Sequence, residues 1–288
     1  MPALRLTVAL LAAIATVAAC GGGNDATSDR RSVLASFYPL EYAAKLVGGG
    51  NVEVENLTPP GAEPHDLELT PRDVARVHDA DVVLYLDAGF QPAGDDAVAE
   101  ASGEVVDLLD GLQLRDAIGG ETVSDPHVWL DPALYARIVE RIGQVLDSPE
   151  RAQRLETRLR ALDAAFRAGL DSCKRRELVT SHAAFGYLAA RYDLEQVPLT
   201  GVTPEAEPTP RKLEEAVKRV RETGATTIFF ETLVSPRVAE TVARETGART
   251  AVLNPIEGLT EEQVADHDDY FTLMRANLRA LREGLDCN

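Results

Sequence analysis

The feature that most restricts how this chain can fold is its longest helix signal. Ser148-Pro149-Glu150 is a good helix start, with Pro at the first helical position. Apolar residues then recur at Leu155, Leu159, Leu162, Phe166 and Leu170, at spacings of four and three, and Arg and Glu fill most of the other faces. No breaker appears before Gly169, so a helix of about 22 residues would run roughly 33 Å at 1.5 Å per residue. The stretches on either side have a different rhythm, in which short apolar strand-like runs alternate with helices. A helix this long between two such halves is expected to be a rigid connector. The 288 residues, 45% of them hydrophobic, are long for one core and comfortable for two domains. The expected division is a first lobe over residues 32–147, the connecting helix over 148–171 and a second lobe over 172–288.

In the first lobe the pattern predicts strands at Val33–Ser36, Val52–Leu57, Val82–Leu86 and, more weakly, Val105–Asp107. Leu40–Val47 reads as a helix stopped by Gly48-Gly49-Gly50, and Thr70-Pro71-Arg72-Asp73 as a helix start with Thr70 as N-cap. The 133–146 segment is helical, with apolar residues at Leu134, Ile138, Ile142 and Val145. In the second lobe strands are expected at Leu178–Ser181, Val197–Leu199, Thr227–Phe230 and Thr250–Leu253. Helices are expected at Ala183–Tyr192, Arg211–Glu222, Pro236–Thr246 and Glu261–Leu285, the last interrupted near His267-Asp268-Asp269. This alternation implies an α/β fold of two lobes with mainly parallel sheets.

The N-terminus reads as a targeting signal. Arg5 is followed by an apolar run, Leu6–Ala19, too short to span a bilayer. It ends Val17-Ala18-Ala19-Cys20, followed by Gly21-Gly22-Gly23-Asn24, which resembles a bacterial lipobox. Residues 1–19 would then be a lipoprotein signal peptide, Cys20 the lipidated first residue and residues 20–31 a flexible tether. The alternative is an ordinary cleaved signal with an incidental Cys. Either reading puts the protein outside the cytoplasm, at the extracytoplasmic face of the membrane if lipidated. In that oxidising setting Cys173 and Cys287 are expected to form a disulfide. The formal charge of -18 argues against nucleic-acid binding, which needs Lys and Arg on phosphates.

Binding residues in open α/β sheets collect beyond the carboxyl ends of strands. His65, His182, Glu231 and the Asn254–Glu257 stretch all follow predicted strands, and His127 lies in the Pro-bounded loop Ser124–Pro132 beside the only tryptophan, Trp129. Histidines from distant positions plus a carboxylate match what Zn²⁺ takes. Composition alone leaves open that each is a surface or hydrogen-bonded His. His78, beside Asp79, and His267, among Asp266, Asp268 and Asp269, read as solvated. Trp129 and Phe185 read equally as cleft lining or as core.

Four segments narrow this further: Pro64-His65-Asp66, Asp125 to Pro132, Thr180 to Leu188 and Phe229 to Pro236. In this order they resemble the metal-binding receptors of ABC importers (cluster A-I), and within them the zinc-specific, ZnuA-like branch. The resemblance covers essentially the whole mature chain. It implies two α/β lobes joined by one long helix, with the metal in the inter-lobe cleft. It carries the family's ligands onto His65, His127 and His182, a histidine at the third position being typical of the zinc branch and Glu of the manganese branch. Many members have Asp where this chain has Asn254. Some Gram-positive zinc receptors read Leu-Asn-Pro-Leu-Glu there and use the Glu, so Leu253-Asn254-Pro255-Ile256-Glu257 points to Glu257 as fourth ligand. Glu231 is the rival, favoured as an acceptor orienting an imidazole N–H; Asn254 or a water is a further option. The family's frequent His-rich loop is absent, since Leu112 to Ser124 contains no His.

The function so implied is a lipid-anchored, monomeric, non-enzymatic receptor. It would capture Zn²⁺ as transported ligand and hand it to a permease with its ATPase subunit. Three alternatives stay open: a manganese or other divalent-metal receptor of the same family, a zinc hydrolase with Glu231 as base, and a surface adhesin.

Overall fold

A computed structural model describes residues 30–118, 124–204 and 209–288. The expected signal peptide, Cys20 and nearly all of the tether lie outside the described residues. The first lobe contains β1 (Arg31–Ala35), α1 (Tyr38–Gly48), β2 (Val52–Asn56), α2 (Pro71–Asp79), β3 (Val82–Tyr85), α3 (Pro92–Val98), β4 (Glu104–Asp107) and α4 (Pro132–Val145). Then comes α5 (Pro149–Leu170). The second lobe contains β5 (Glu177–Thr180), α6 (Gly186–Arg191), β6 (Glu195–Pro198), α7 (Pro210–Thr223), β7 (Thr227–Phe230), α8 (Arg237–Thr246), β8 (Arg249–Val252), α9 (Glu261–Ala265) and α10 (Tyr270–Gly284).

Each lobe holds one four-stranded sheet, ordered β2-β1-β3-β4 and β6-β5-β7-β8, and every strand pair is parallel. Parallel strands need helical crossovers, which cover the sheet faces. In each sheet the chain order reverses at the central pair, β1/β3 and β5/β7. A crevice opens beyond the carboxyl ends of strands at such a point. Phe37 and Phe90 follow the first pair and form a buried aromatic wall with Trp129, ring centroids 4.7–5.3 Å apart. His182 and Glu231 follow the second.

The α5 stripe is buried as its spacing predicts: Leu155, Leu159, Leu162, Phe166 and Leu170 face the core, joined by Ala152. Helix α4 packs antiparallel to it. A Cβ on Gly143 would lie 2.5 Å from the Ala152 Cβ, so this crossing needs a residue without a side chain. The buried face of α4 is Tyr135, Ile138, Val139 and Ile142. Leu134 and Val145 sit on its half-buried flank, and Asp131 caps the helix through the Ala133 and Leu134 amides.

Two other elements differ from expectation. Helix α6 begins at Gly186 rather than Ala183, because the Ala183 N–H goes to the Gly201 carbonyl and the His182 carbonyl to Thr180 and Gln196. Helix α3 was not expected; its Pro-Ala-Gly-Asp-Asp-Ala-Val sequence has no apolar period to reveal it. The C-terminal helix is interrupted where expected: it is two helices, split where His267 turns into the left-handed region (φ 58°) and Asp269 caps α10. Thr70 caps α2 with a reciprocal Asp73 contact, as its sequence implied. No helix among the described residues is long and apolar enough to cross a membrane.

Cys173, just past α5, is disulfide-bonded to Cys287 at a sequence separation of 114. The bond ties the chain's tail to the end of the connector. Replacing both cysteines with serine is expected to lower the unfolding free energy by about 2–4 kcal/mol, read as a shifted denaturation midpoint relative to the oxidised protein.

Candidate metal centre

His65 lies in a short 3-10 turn (Pro64–Asp66) beyond β2, with Pro64 at its start and the Glu63 carboxylate accepting the His65 N–H. Its ring stands edge-on to Phe90 at 4.6 Å. His127 precedes a second 3-10 turn (Val128–Leu130) in the Pro-bounded loop. His182 follows β5, and Glu257 follows β8. These four residues, two from each lobe, converge: one ligand atom from each lies within 4.8 Å of all the others. All four are buried, His127, His182 and Glu257 completely.

The carboxylate faces three imidazoles. Glu257 Oε1 lies 3.2 Å from His127 Nε2, 3.4 Å from His182 Nε2 and 3.7 Å from His65 Nε2. None of these nitrogens, and neither Glu257 oxygen, has a hydrogen-bond partner of good geometry. Donor atoms on a tetrahedron with metal–ligand arms of about 2.1 Å stand about 3.4 Å apart. The three Glu257–imidazole separations bracket that edge, and all four donors lie within 4.8 Å of one another.

Two further carboxylates set the tautomers. His127 Nδ1 donates to Asp125 Oδ1 at 2.8 Å, and the His127 backbone N–H donates to the same oxygen at 2.9 Å. His182 Nδ1 donates to Glu231 Oε1 at 2.7 Å. A carboxylate accepting from Nδ1 keeps the proton there, so the neutral, metal-binding form of each ring presents its Nε2 lone pair to the cluster. Asp125 is held in turn from the second lobe. Tyr187 donates its hydroxyl to the Asp125 carbonyl at 2.9 Å, and a Cβ on Gly186 would lie 2.6 Å from Asp125 Oδ2.

The Glu257 loop is fixed by its neighbours. Ile256 has φ 59° and is fully buried. A β-branched residue there is strained, by about 1–3 kcal/mol. Asn254 Oδ1 accepts the Ile256 N–H at 2.7 Å. The Asn277 side chain accepts the Asn254 N–H at 2.8 Å and donates to the Asn254 carbonyl at 2.6 Å. Trp129 donates its indole N–H to the Pro255 carbonyl at 2.7 Å.

Sequence reasoning had singled out His65, His127, His182, Glu257, Glu231 and Asn254. The structure brings the first four together, sets Glu231 against the His182 ring, and commits the Asn254 amide oxygen to its own loop. Trp129 and Phe185 are core residues, both buried. His78 bonds Asp79 and Ser102 on the exposed surface, and His267 is exposed. Asp125, Glu63, Gly186 and Asn277 were missed. Asp125 stands two residues before His127, where a carboxylate reads as an ordinary turn residue.

Protonation follows from the same contacts. Burial alone would lower every imidazole. At His65 it wins and the pKa is lowered. At His127 the Asp125 and Glu257 carboxylates outweigh burial and the pKa is raised. At His182 burial is again overcome, by Glu231 and then Glu257, and the pKa is held well above the usual imidazole range. Burial would raise Glu257, but the surrounding imidazoles hold it well below the usual carboxylate range. Burial and the Glu257 charge push Glu63 up to about 9, so it is neutral at pH 7.

These directions set opposite pH trends. Raised His127 and His182 stabilise the metal-free fold below the unfolded imidazole pKa, near 6.5, and that contribution is lost as pH rises through their folded values. A cation needs the same nitrogens deprotonated, so its affinity rises over that window. Thermal melts from pH 6 upward should show the metal-free midpoint falling while the metal-induced increment grows. Gly186→Ala should displace Asp125 and weaken metal binding by roughly 10–100-fold, the usual cost of disturbing a ligand's hydrogen-bond partner, measured by chelator competition.

The model of the family described as "Zinc-uptake complex component A periplasmic", ZnuA, matches residues 33–284. The high-affinity zinc uptake system protein ZnuA of Bacillus subtilis is 33% identical over 298 residues, covering 93% of each chain. The zinc-binding protein AdcA of Streptococcus pyogenes serotype M6 is 35% identical over 87% of this chain; the match spans 55% of that protein's length. Among solved structures, the Zn(II)-bound ZnuA-like domain of Streptococcus pneumoniae AdcA superposes with a TM-score of 0.76 at 33% identity, covering 89% of this chain and 99% of that one. A laminin-binding protein of Streptococcus agalactiae, described as having adhesin and metal-transporting activity, gives 0.80 at 30% identity, covering 89% and 99%.

Proposed function

This chain belongs to the ZnuA family of zinc-uptake components, and from that premise we propose that it is an extracytoplasmic receptor that captures one Zn²⁺ and delivers it to a membrane permease. His65, His127, His182 and Glu257 are the proposed ligands. The observation that carries the reading is the set of buried, unpartnered donors: the Nε2 atoms of the three histidines and both Glu257 oxygens. Buried polar groups without partners are costly, and a single cation at the centre would satisfy them together. Nitrogen-rich donors suit Zn²⁺ better than Mn²⁺ or Mg²⁺, which take oxygen shells. Three neutral imidazoles and one carboxylate leave the first shell with a single negative charge, so the bound cation keeps a net positive charge. Asp125 and Glu231 offset that charge through the imidazole N–H groups.

A hydrolytic zinc site keeps one coordination position open for water. With His65, His127, His182 and Glu257 all as ligands, four protein donors would fill the shell, which supports capture over catalysis. Docking to a permease and its ATPase, and anchoring through a lipid on Cys20, complete the proposal. The family resemblance and the lipobox-like Ala19-Cys20 junction support these.

His127→Ala and Glu257→Gln should each weaken zinc binding beyond the roughly 10–100-fold expected for a residue that merely supports a ligand. Competition against a chromophoric chelator at pH 7.5 measures this, with Mn²⁺ as comparison. Wild-type affinity in His127→Ala would sink the assignment.

A further inference from the structure

The peptide plane between Pro255 and Ile256 is pinned at both ends. Its N–H is held by Asn254 Oδ1 at 2.7 Å and its carbonyl by the Trp129 indole N–H at 2.7 Å. The rotation of that plane is what sets Ile256 at φ 59°, a conformation a β-branched residue avoids when free. Glu257 is the next residue, so the plane's orientation aims the carboxylate.

The two grips differ in origin. The Asn254 grip belongs to the second lobe and is braced by Asn277 on α10, through the Asn254 N–H at 2.8 Å and the Asn254 carbonyl at 2.6 Å. The Trp129 grip comes from the first lobe, two residues beyond His127, with the indole packed against Phe37 and Phe90. The Trp129 carbonyl in turn accepts the Tyr270 hydroxyl at 2.6 Å.

We propose that Trp129 and Asn277 are positioning residues of the metal centre: Asn277 anchors the Glu257 loop within its own lobe, and Trp129 holds the left-handed Ile256 only while the lobes are together. This rests on the zinc reading given above. Separation of the lobes would withdraw the indole with His127, free the Pro255–Ile256 plane and turn Glu257 away from the cation. Loss of two first-lobe imidazoles and loss of the carboxylate's aim then become one event. A buried indole N–H needs a partner, yet Trp129 is the only one of the wall's three aromatics that has such a group. The wall itself would be served by phenylalanine.

Trp129→Phe keeps the ring in the wall and removes the donor. Stopped-flow measurement with a fluorescent zinc chelator gives association and dissociation rates, and thermal melts give the metal-free midpoint. Zinc dissociation should rise roughly tenfold, the lower end of what losing a ligand's support costs. The association rate should stay near wild type; the metal-free midpoint falls with the buried volume and hydrogen bond removed whether or not Trp129 positions Glu257. Added to Ile256→Gly, the same change should do less, since glycine occupies the left-handed region without steric cost. Each Trp129→Phe protein is compared with its own parent, so the buried volume lost with Ile256 cancels.

A purely structural Trp129 would change zinc dissociation equally in the wild-type and Ile256→Gly backgrounds, and that result overturns the proposal. So does an unchanged dissociation rate. If Trp129→Phe does not fold, Asn277→Leu, of similar shape without the hydrogen bonds, carries the same kinetic expectation and the same refutation. If His127→Ala and Glu257→Gln keep wild-type zinc affinity, the zinc reading itself has failed. If they lose it while Trp129→Phe and Asn277→Leu release zinc at the wild-type rate, only the positioning roles have failed.

Discussion

A buried carboxylate enclosed by three imidazole nitrogens is the constraint on which the rest of this structure depends. Glu257 and the Nε2 atoms of His65, His127 and His182 are buried and unpartnered. Each unpartnered buried polar group costs about 1–3 kcal/mol, and charged ones cost more. Left alone, such a cluster would collapse into direct hydrogen bonds or open to water. Its surroundings prevent both. Asp125 and Glu231 take the outer ring nitrogens of His127 and His182, which fixes the orientation of those two rings. The Phe37, Phe90 and Trp129 wall keeps water from one side. The Glu257 loop is fixed in a conformation it would not choose.

The architecture delivers these groups from two independent sheets whose carboxyl ends face one another. Neither lobe holds the site alone: His65 and His127 come from one, His182 and Glu257 from the other. The connector α5, packed on α4, spans them as a single hydrogen-bonded rod. Directional hydrogen bonds cross between the lobes beside an apolar core that runs through both. Trp129 reaches Pro255, Tyr270 reaches the Trp129 carbonyl, Tyr42 reaches Asp269 and the Gly61 N–H reaches the Leu259 carbonyl.

How much of this was legible in the chain varied with the physics involved. The α5 stripe, the Thr70 cap and the strands were readable because periodicity and capping are local. Helix α3 and the late start of α6 were not. The first has no apolar period, and the second is decided by Gly201 and Gln196, which lie beyond the helix. The buried face of α4 was readable only in part, since it is chosen by packing against α5, where Gly143 meets Ala152. Among the site residues, position beyond strand ends singled out His65, His182 and the Asn254–Glu257 stretch, and the family resemblance distinguished Glu257 from Asn254. Asn277 was hidden inside a helix signal, where a polar residue reads as solvated.

By itself, then, the sequence determined what local forces decide: which segments are helix or strand, that two parallel-sheet lobes flank one long helix, and which donor types were available for a metal. Only the tertiary structure decided which donors meet. His65 and Glu257 stand near opposite ends of the chain, and their approach depends on strand order, lobe placement and the left-handed turn at Ile256. None of these leaves a periodic trace. The same holds for the supporting groups. Asp125 orients a ring, and Trp129 and Asn277 grip a loop, through single hydrogen bonds whose partners are adjacent in space and remote or unmarked in sequence.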